Sequence, residues 1–246
     1  FTIHVRDIKT NEIITDKIEN TSGSILFSLD DRFIFYSKLD ENHRPKKIFR
    51  HEIGKSIKED LLIFEERTPA FTVSIGISAD EKYYFINSSD HNTSEKYYFK
   101  SNESLPKPKI VRKREKGIIY SVSSWGGYFY IHTNKGAEDF KIERSRDIEA
   151  SKWEVFIPAK NETMIGGLTF LKNWIIRSEL NNALDKIFVR DINSNKEEEL
   201  IFTDEEVYDG SISHTQKDRN TDLIYISYST PKTQARTYLY NLKTKE

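Results

Sequence analysis

The sequence contains no cysteine. Disulfide staples and thiolate metal ligands are therefore excluded. The chain must hold its shape by packing and polar pairing alone, which is consistent with a reducing compartment. Glycine and proline are scarce, at 10 and 6 of 246 residues. No Pro/Gly/Ser-rich linker divides the chain. No window approaches the ~18 consecutive apolar residues of a membrane span. Neither sign of charge dominates: Lys+Arg 38 faces Asp+Glu 39, leaving a formal net charge of -1. No strong field points to nucleic acid or an acidic membrane, and neither is expected as a partner. The longest like-charge run, Glu197-Glu198-Glu199, reads as a solvated turn. No signal peptide is visible, but the chain begins at Phe1 rather than Met, so targeting is not judged from it; a cytoplasmic location is nonetheless the expectation.

What the chain does have is aromatics, 13 Tyr and 15 Phe, which suit half-buried strands. It also has a repeat. Ile3-His4-Val5-Arg6-Asp7-Ile8 returns as Ile187-Phe188-Val189-Arg190-Asp191-Ile192. Weaker copies are Ile48–Ile53, Lys96–Lys100, Asp139–Glu143 and Thr237–Leu242. The spacing, roughly 43 to 50 residues, is that of a four-stranded propeller blade. A second marker recurs earlier in the unit: Ser28-Leu29-Asp30-Asp31-Arg32 and Ser78-Ala79-Asp80-Glu81-Lys82, each before an aromatic strand. Its carboxylates suit a turn, where they accept from nearby backbone N–H groups. Because the tip recurs, Asp30-Asp31 is not read as a catalytic pair.

These patterns predict an all-β chain: one partial β-propeller domain over 1–246, incomplete, with about five of seven four-stranded blades. A half blade over 1–18 precedes units near 24–66, 71–115, 118–158 and 165–203. A three-stranded unit, 208–246, comes last. Almost no stretch has the i, i+3, i+4 spacing of a buried helix.

Six ordered segments carry a resemblance: Phe1–Asn20, Asp40–Gly54, Thr93-Ser94-Glu95, Tyr130-Ile131-His132-Thr133-Asn134-Lys135-Gly136-Ala137, Lys152–Pro158 and Tyr225–Leu242. Together they resemble the N-terminal propeller of the prolyl oligopeptidase family, in its oligopeptidase B (protease II) branch. The resemblance implies a seven-bladed propeller capping an α/β-hydrolase domain of the same polypeptide. It implies cleavage of short peptides after Lys or Arg, with the propeller excluding large folded substrates.

The chemistry itself is absent from this stretch. No G-x-S-x-G nucleophile elbow occurs. None of His4, His43, His51, His91, His132 and His214 sits in a base-nucleophile or H-x-x-x-H arrangement. His132 is the most notable, lying in the T-N-x-G-A segment. No phosphate loop is present, so no catalytic residue, metal or cofactor is assigned.

Topology still places a face. Loops joining strands 2 and 3 share an end with the blade-to-blade crossovers, so a catalytic domain is expected against loops Asp40–Pro45, Asp90–Glu95, Thr133–Asp139, Leu180–Asp185 and Thr230–Ala235. Arg44, His91, Glu95, Asn134 and Asp139 are the candidate interdomain or gating contacts. The competing reading is that such side chains only satisfy their own loop backbones, as Thr93, Ser94 and Asn134 commonly do. The alternative function is a stand-alone propeller that binds proteins or peptides.

Overall fold

The computed structural model describes residues 1–201, 203–214 and 219–246. Phe202 and residues 215–218, which fall in the expected units 165–203 and 208–246, lie outside the described residues. Among those described there is no α-helix, only one 3-10 turn at Ile57–Glu59. Among the described residues no helix is long and apolar enough to cross a membrane.

The strands form six antiparallel sheets in chain order. The first pairs β1 (Ile3–Arg6) with β2 (Ile13–Ile18). The second holds β3 (Thr21–Phe27), β4 (Phe33–Leu39), β5 (Pro45–Glu52) and β6 (Leu61–Glu65). The third holds β7 (Thr72–Ile77), β8 (Tyr83–Ser89), β9 (Ser94–Lys100) and β10 (Lys109–Arg112). The fourth holds β11 (Tyr120–Trp125), β12 (Tyr128–Thr133), β13 (Lys141–Ser145) and β14 (Glu154–Ile157). The fifth holds β15 (Thr163–Leu171), β16 (Trp174–Asn181), β17 (Leu184–Asp191) and β18 (Glu197–Glu199). The sixth has three strands, β19 (Asp209–His214), β20 (Leu223–Ser229) and β21 (Arg236–Asn241). Each sheet is a simple meander, the connection pattern of a propeller blade.

Glu197–Glu199 corrects the sequence reading: it is strand β18, not a turn. The strand persists because Glu197 sits opposite Arg190 in the register and bonds both Arg190 and Arg177, while Glu198 meets Lys245.

The repeated tip behaves as its composition dictates. The Ser28 hydroxyl donates to Asp30 (2.6 Å) and accepts from the Phe33 amide (2.9 Å). Ser78 does the same with Asp80 (2.8 Å) and Tyr83 (3.0 Å). Asp31 and Glu81 take positive φ, 55° and 58°. This left-handed conformation is where a short polar tip turns a strand back on its neighbour.

The chain divides into two compact units, Phe1–Tyr130 with Ser145–Lys152, and Ile131–Arg144 with Trp153–Glu246. In the first, strand alternation sends Phe35, Ile48 and Ile63 of the second sheet against Val73, Tyr84, Ile86 and Phe99 of the third. Phe35, Tyr84 and Phe99 form a ring cluster with centroids 4.8–6.0 Å apart. Each such side chain stabilises by about 1.5–3 kcal/mol on burial. In the second, Leu171, Ile176, Ile187 and Val189 of the fifth sheet meet Ile224, Ile226 and Leu242. Apolar side chains thus cover facing sheets, as blade stacking requires.

The first sheet is tied to the second by a polar device. His51 is fully buried, with Nδ1 2.7 Å from Asp60 and Nε2 3.2 Å from Asp16. The Tyr36 hydroxyl donates to Asp60 (2.8 Å), and the Gly54 amide donates to Asp16 (2.7 Å). Burial pushes the imidazole pKa down, but the two carboxylates outweigh it and hold the pKa above its ordinary 6.5. A folded pKa above the unfolded one gives stability that is complete below pH 6.5 and lost as pH climbs through the raised value. The urea midpoint should therefore fall as pH rises through that window, and His51→Gln should flatten the slope. Parallel slopes for the two proteins would dismiss the device.

Candidate functional site: the crossover end of the sheets

The registers fix which connections share an end. Thr72 of β7 lies opposite Ser89 of β8, and Ser89 opposite Ser94 of β9. The start of strand 1, the end of strand 2 and the start of strand 3 are thus neighbours, and the chain enters each sheet there.

In the first unit, the 66–71 crossover between β6 and β7 is gripped by two cations. Lys46 is 7 % exposed, and its ammonium donates to the carbonyls of Thr68 (2.6 Å), Pro69 (3.0 Å) and Phe71. Arg44 donates to Pro69 O at 2.7 Å, and its Nε lies 3.5 Å from Asp40. Asp40 in turn accepts from the amides of Asn42 and Arg44, both at 2.9 Å. A crossover leaves strand geometry and so exposes carbonyls that need donors. Lysine and arginine supply several at once.

A second cluster joins this crossover to the next one, residues 113–119. Arg114 Nη2 is 2.6 Å from Glu66 and 2.7 Å from Glu95, and its guanidinium stacks 4.1 Å over Phe71. The Arg114 amide donates to Glu95 (2.9 Å), and the Thr68 amide to Glu66 (2.7 Å). Burial works to raise the Glu66 pKa. Hydrogen bonds from Ser88, Arg114 and Thr68 outweigh it and hold the carboxyl at about 2. Glu95 is likewise pulled down, burial being outweighed by Arg114 and Tyr97.

The sequence-predicted contacts separate here. Glu95 is corrected: it belongs to β9 rather than the preceding loop, is 5 % exposed, and faces Arg114 and Tyr97. β9 begins at Ser94, which draws Glu95 into the sheet. Ser94 and Thr93 do more than cap their own turn. Ser94 Oγ accepts from the Tyr120 amide (2.7 Å), and Thr93 Oγ1 from the Gly117 amide (3.1 Å), so both clasp the next sheet's entry. His91 stays exposed at the tip of a turn closed by Asp90, which accepts from the Asn92 and Thr93 amides. Arg44 is partly exposed.

The second unit repeats the principle with other residues. The Asp139 carbonyl accepts from the Ile165 amide (2.9 Å), and His132 Nε2–H donates to Ile165 O (2.7 Å) while its ring stacks 4.6 Å from Phe140. Burial drives the His132 pKa down, so this donor is a neutral imidazole. Asn134 is half-buried, and its carbonyl accepts from the Ala137 amide. Asp185 accepts from the Gly210 amide (3.2 Å). Expected as a longer loop, Leu180–Asp185 is instead a tight hairpin whose tip, Asn182-Ala183, takes positive φ at both residues. Behind it, Arg177 and Glu179, each 3 % exposed, pair at 2.8 Å, with Lys160 and Glu197 completing the network.

Lys46, Glu66, Arg114, Arg177 and Glu179 were not singled out from sequence. The available signal was a charge inside an apolar strand, as in Trp174-Ile175-Ile176-Arg177-Ser178-Glu179. Chemically, these groups hold backbone and one another. No group of three or more His, Cys, Asp or Glu suited to a metal occurs among the described residues.

A meander of four-stranded sheets, each clasping the next at its crossover end, defines a β-propeller. The profile described as "Prolyl oligopeptidase, N-terminal beta-propeller domain" matches residues 1–246, and the chain belongs to that family. It is 31 % identical over its whole length to Protease 2 of Moraxella lacunata, of which it covers 35 %. It is 27 % identical, again over its whole length, to Dipeptidyl aminopeptidase BI of Pseudoxanthomonas mexicana, covering 34 %. The chain thus spans about a third of each of these relatives. Oligopeptidase B from Trypanosoma brucei, solved in a closed form with covalently bound antipain, superposes with a TM-score of 0.87 at 26 % identity, over 95 % of this chain and 34 % of that one.

Arg114→Met should cost about 3–5 kcal/mol, because it strands two buried carboxylates. Ser88, Arg114 and Thr68 together hold Glu66 at about 2, so losing Arg114 lets its pKa rise. The deficit relative to the parent should therefore shrink between pH 7 and pH 4.5 as Glu66 protonates. The exposed pair Lys17–Glu19 is the comparison: Lys17→Met should leave stability nearly unchanged, because a solvent-screened surface pair contributes little. Equal losses in urea denaturation would contradict the burial argument.

Proposed function

We propose that residues 1–246 form one partial propeller domain that gates an oligopeptidase B-type serine peptidase, with an α/β-hydrolase domain in the same polypeptide as its partner. The substrates are short peptides cleaved after Lys or Arg, and the location is cytoplasmic. One observation carries this reading: the chain matches Protease 2 end to end while covering only 35 % of it. In that relative the matched region therefore sits beside a larger remainder. The closed form with covalently bound antipain described for the T. brucei relative supports a catalytic domain that closes on its propeller.

The crossover end is the face offered to that partner. Its backbone is immobilised by buried ion pairs, while Arg44 and His91 project from loops 40–44 and 90–93. Inter-domain faces that open and close are more polar than cores. Arg44 is the better gating contact, since Pro69 and Asp40 orient it while leaving it partly exposed. Glu95, Thr93 and Ser94 act behind this surface, on the next sheet. Asn134 and Asp139 hold the corresponding positions in the second unit.

The test is made on the full-length polypeptide. It should hydrolyse a short Arg-containing fluorogenic peptide, and Arg44→Glu should lower kcat/KM by about tenfold, the effect of one lost partly exposed pair plus a repulsive one. Unchanged activity and closure kinetics would remove Arg44 from the gate. A full-length chain without a G-x-S-x-G, Asp and His downstream would favour the stand-alone binding scaffold instead.

A further inference from the structure

The opposite end of the second and third sheets holds a cavity of about 550 Å³. This volume lies in the ~300–1,000 Å³ range of small-molecule sites. Phe35, Tyr84 and Phe99, all under 4 % exposed, line it on the inside. Phe33, Arg50 and the Asp30 tip line it further out.

Three polar groups there are incompletely used. Tyr84 is 1 % exposed; the Leu29 backbone amide lies beside its hydroxyl, but that hydroxyl donates to no described residue. Buried hydroxyls are nearly always paired, so the exception calls for an explanation. Arg50 stacks 4.2 Å over Phe33 and donates through Nη1 to Ser104 O at 2.6 Å. Its Nε and Nη2 make no hydrogen bond among the described residues. Asp30 differs from its counterpart at the next tip. Asp80 bridges onward to the Ser124 hydroxyl of the fourth sheet (2.9 Å), whereas Asp30 bonds only Ser28 and Arg32 within its own turn. The cavity lies where that bridge is missing.

We infer that this cavity is a binding site for a small zwitterion with an apolar side chain, a free amino acid or dipeptide. Arg50 presents two donors on a planar fork, the geometry that receives a carboxylate. The Tyr84 hydroxyl supplies a further donor, and Asp30 supplies the counter-charge for an ammonium. Phe33, Phe35 and Phe99 offer an apolar surface for the side chain. The site uses the opposite end of the sheets from the proposed gate and does not depend on that reading.

The test is calorimetric titration of the full-length protein with L-phenylalanine. Saturable binding with a Kd at or below about 1 mM is expected for a ligand of this size. Tyr84→Phe, which removes one hydroxyl and keeps the ring, should weaken it about five- to tenfold. Arg50→Gln should weaken it by more than about tenfold, as should replacing the probe with N-acetyl-L-phenylalanine amide, which carries neither charge. Thermal unfolding of the Tyr84→Phe protein within a few degrees of the parent, roughly the shift of a 1 kcal/mol change, confirms that the comparison is made on folded protein. Absence of saturable binding to the parent, or parental affinity in either variant, overturns the proposal.

Discussion

A chain that leaves one four-stranded sheet and enters the next must pass through backbone that belongs to neither. That passage carries carbonyls and amides with no ladder partner, set beside two buried apolar faces where an unpaired group is costly. Here it is satisfied by side chains of the preceding sheet. Lys46 takes three carbonyls of the 66–71 crossover, Ser94 and Thr93 take amides of the 113–119 crossover and its exit, and Asp185 takes the amide of Gly210. The residue type changes from clasp to clasp, but the place does not: the clasp lies at or just before the start of the third strand.

This constraint explains why Lys46, Glu66, Glu95 and Arg114 gather at one end of the sheets, while the buried His51–Asp16–Asp60 cluster ties the first two sheets at the other. Apolar stacking of Phe35, Ile48 and Ile63 on Val73, Ile86 and Phe99 brings two sheets together but does not set their angular relation. Directional bonds do. Arg114, held by Glu66 from one side and Glu95 from the other, is a point at which two crossovers and one strand must agree. Such ion pairs are weak evidence of net stability, since their desolvation offsets much of the attraction. Their contribution here is geometric: a single arrangement lets Arg114 serve both carboxylates together. A rigid crossover end is also what an opening and closing partner requires, because a contact such as Arg44 orients a domain only if its own base does not move.

The strands were readable because period-2 alternation and a repeating Ser-x-Asp tip are local signals. β20 falls on Leu223–Ser229 and β4 on Phe33–Leu39, as their patterns indicate. What was not readable depends on pairing at a distance. Glu95 looks like a loop carboxylate until β9 is seen to begin at Ser94. Glu197–Glu199 looks like a solvated turn until Arg177 and Arg190 are found across from Glu197. Both errors have one cause: a local pattern reports a charge but not the distant counter-charge that holds it in a strand. Arg44 and His91 do lie in turns, because turn position is itself a local property.

The same reasoning distinguishes the two ends of the sheets. At the crossover end, buried polar groups are drawn into clasps, and the structure there is tight. At the other end, the tips satisfy themselves: Asp30 and Asp80 close their own turns whether or not a neighbouring sheet is present. Because those turns are self-sufficient, the tips themselves do not force adjacent sheets to seal there; the first two sheets are joined at that end by His51 instead. Asp80 reaches Ser124 and closes its gap, while Asp30 does not reach across and leaves the gap open. A propeller built this way can vary its outer tips without disturbing the clasps that hold it together, so a cavity lined by Tyr84 and Arg50 costs the fold little.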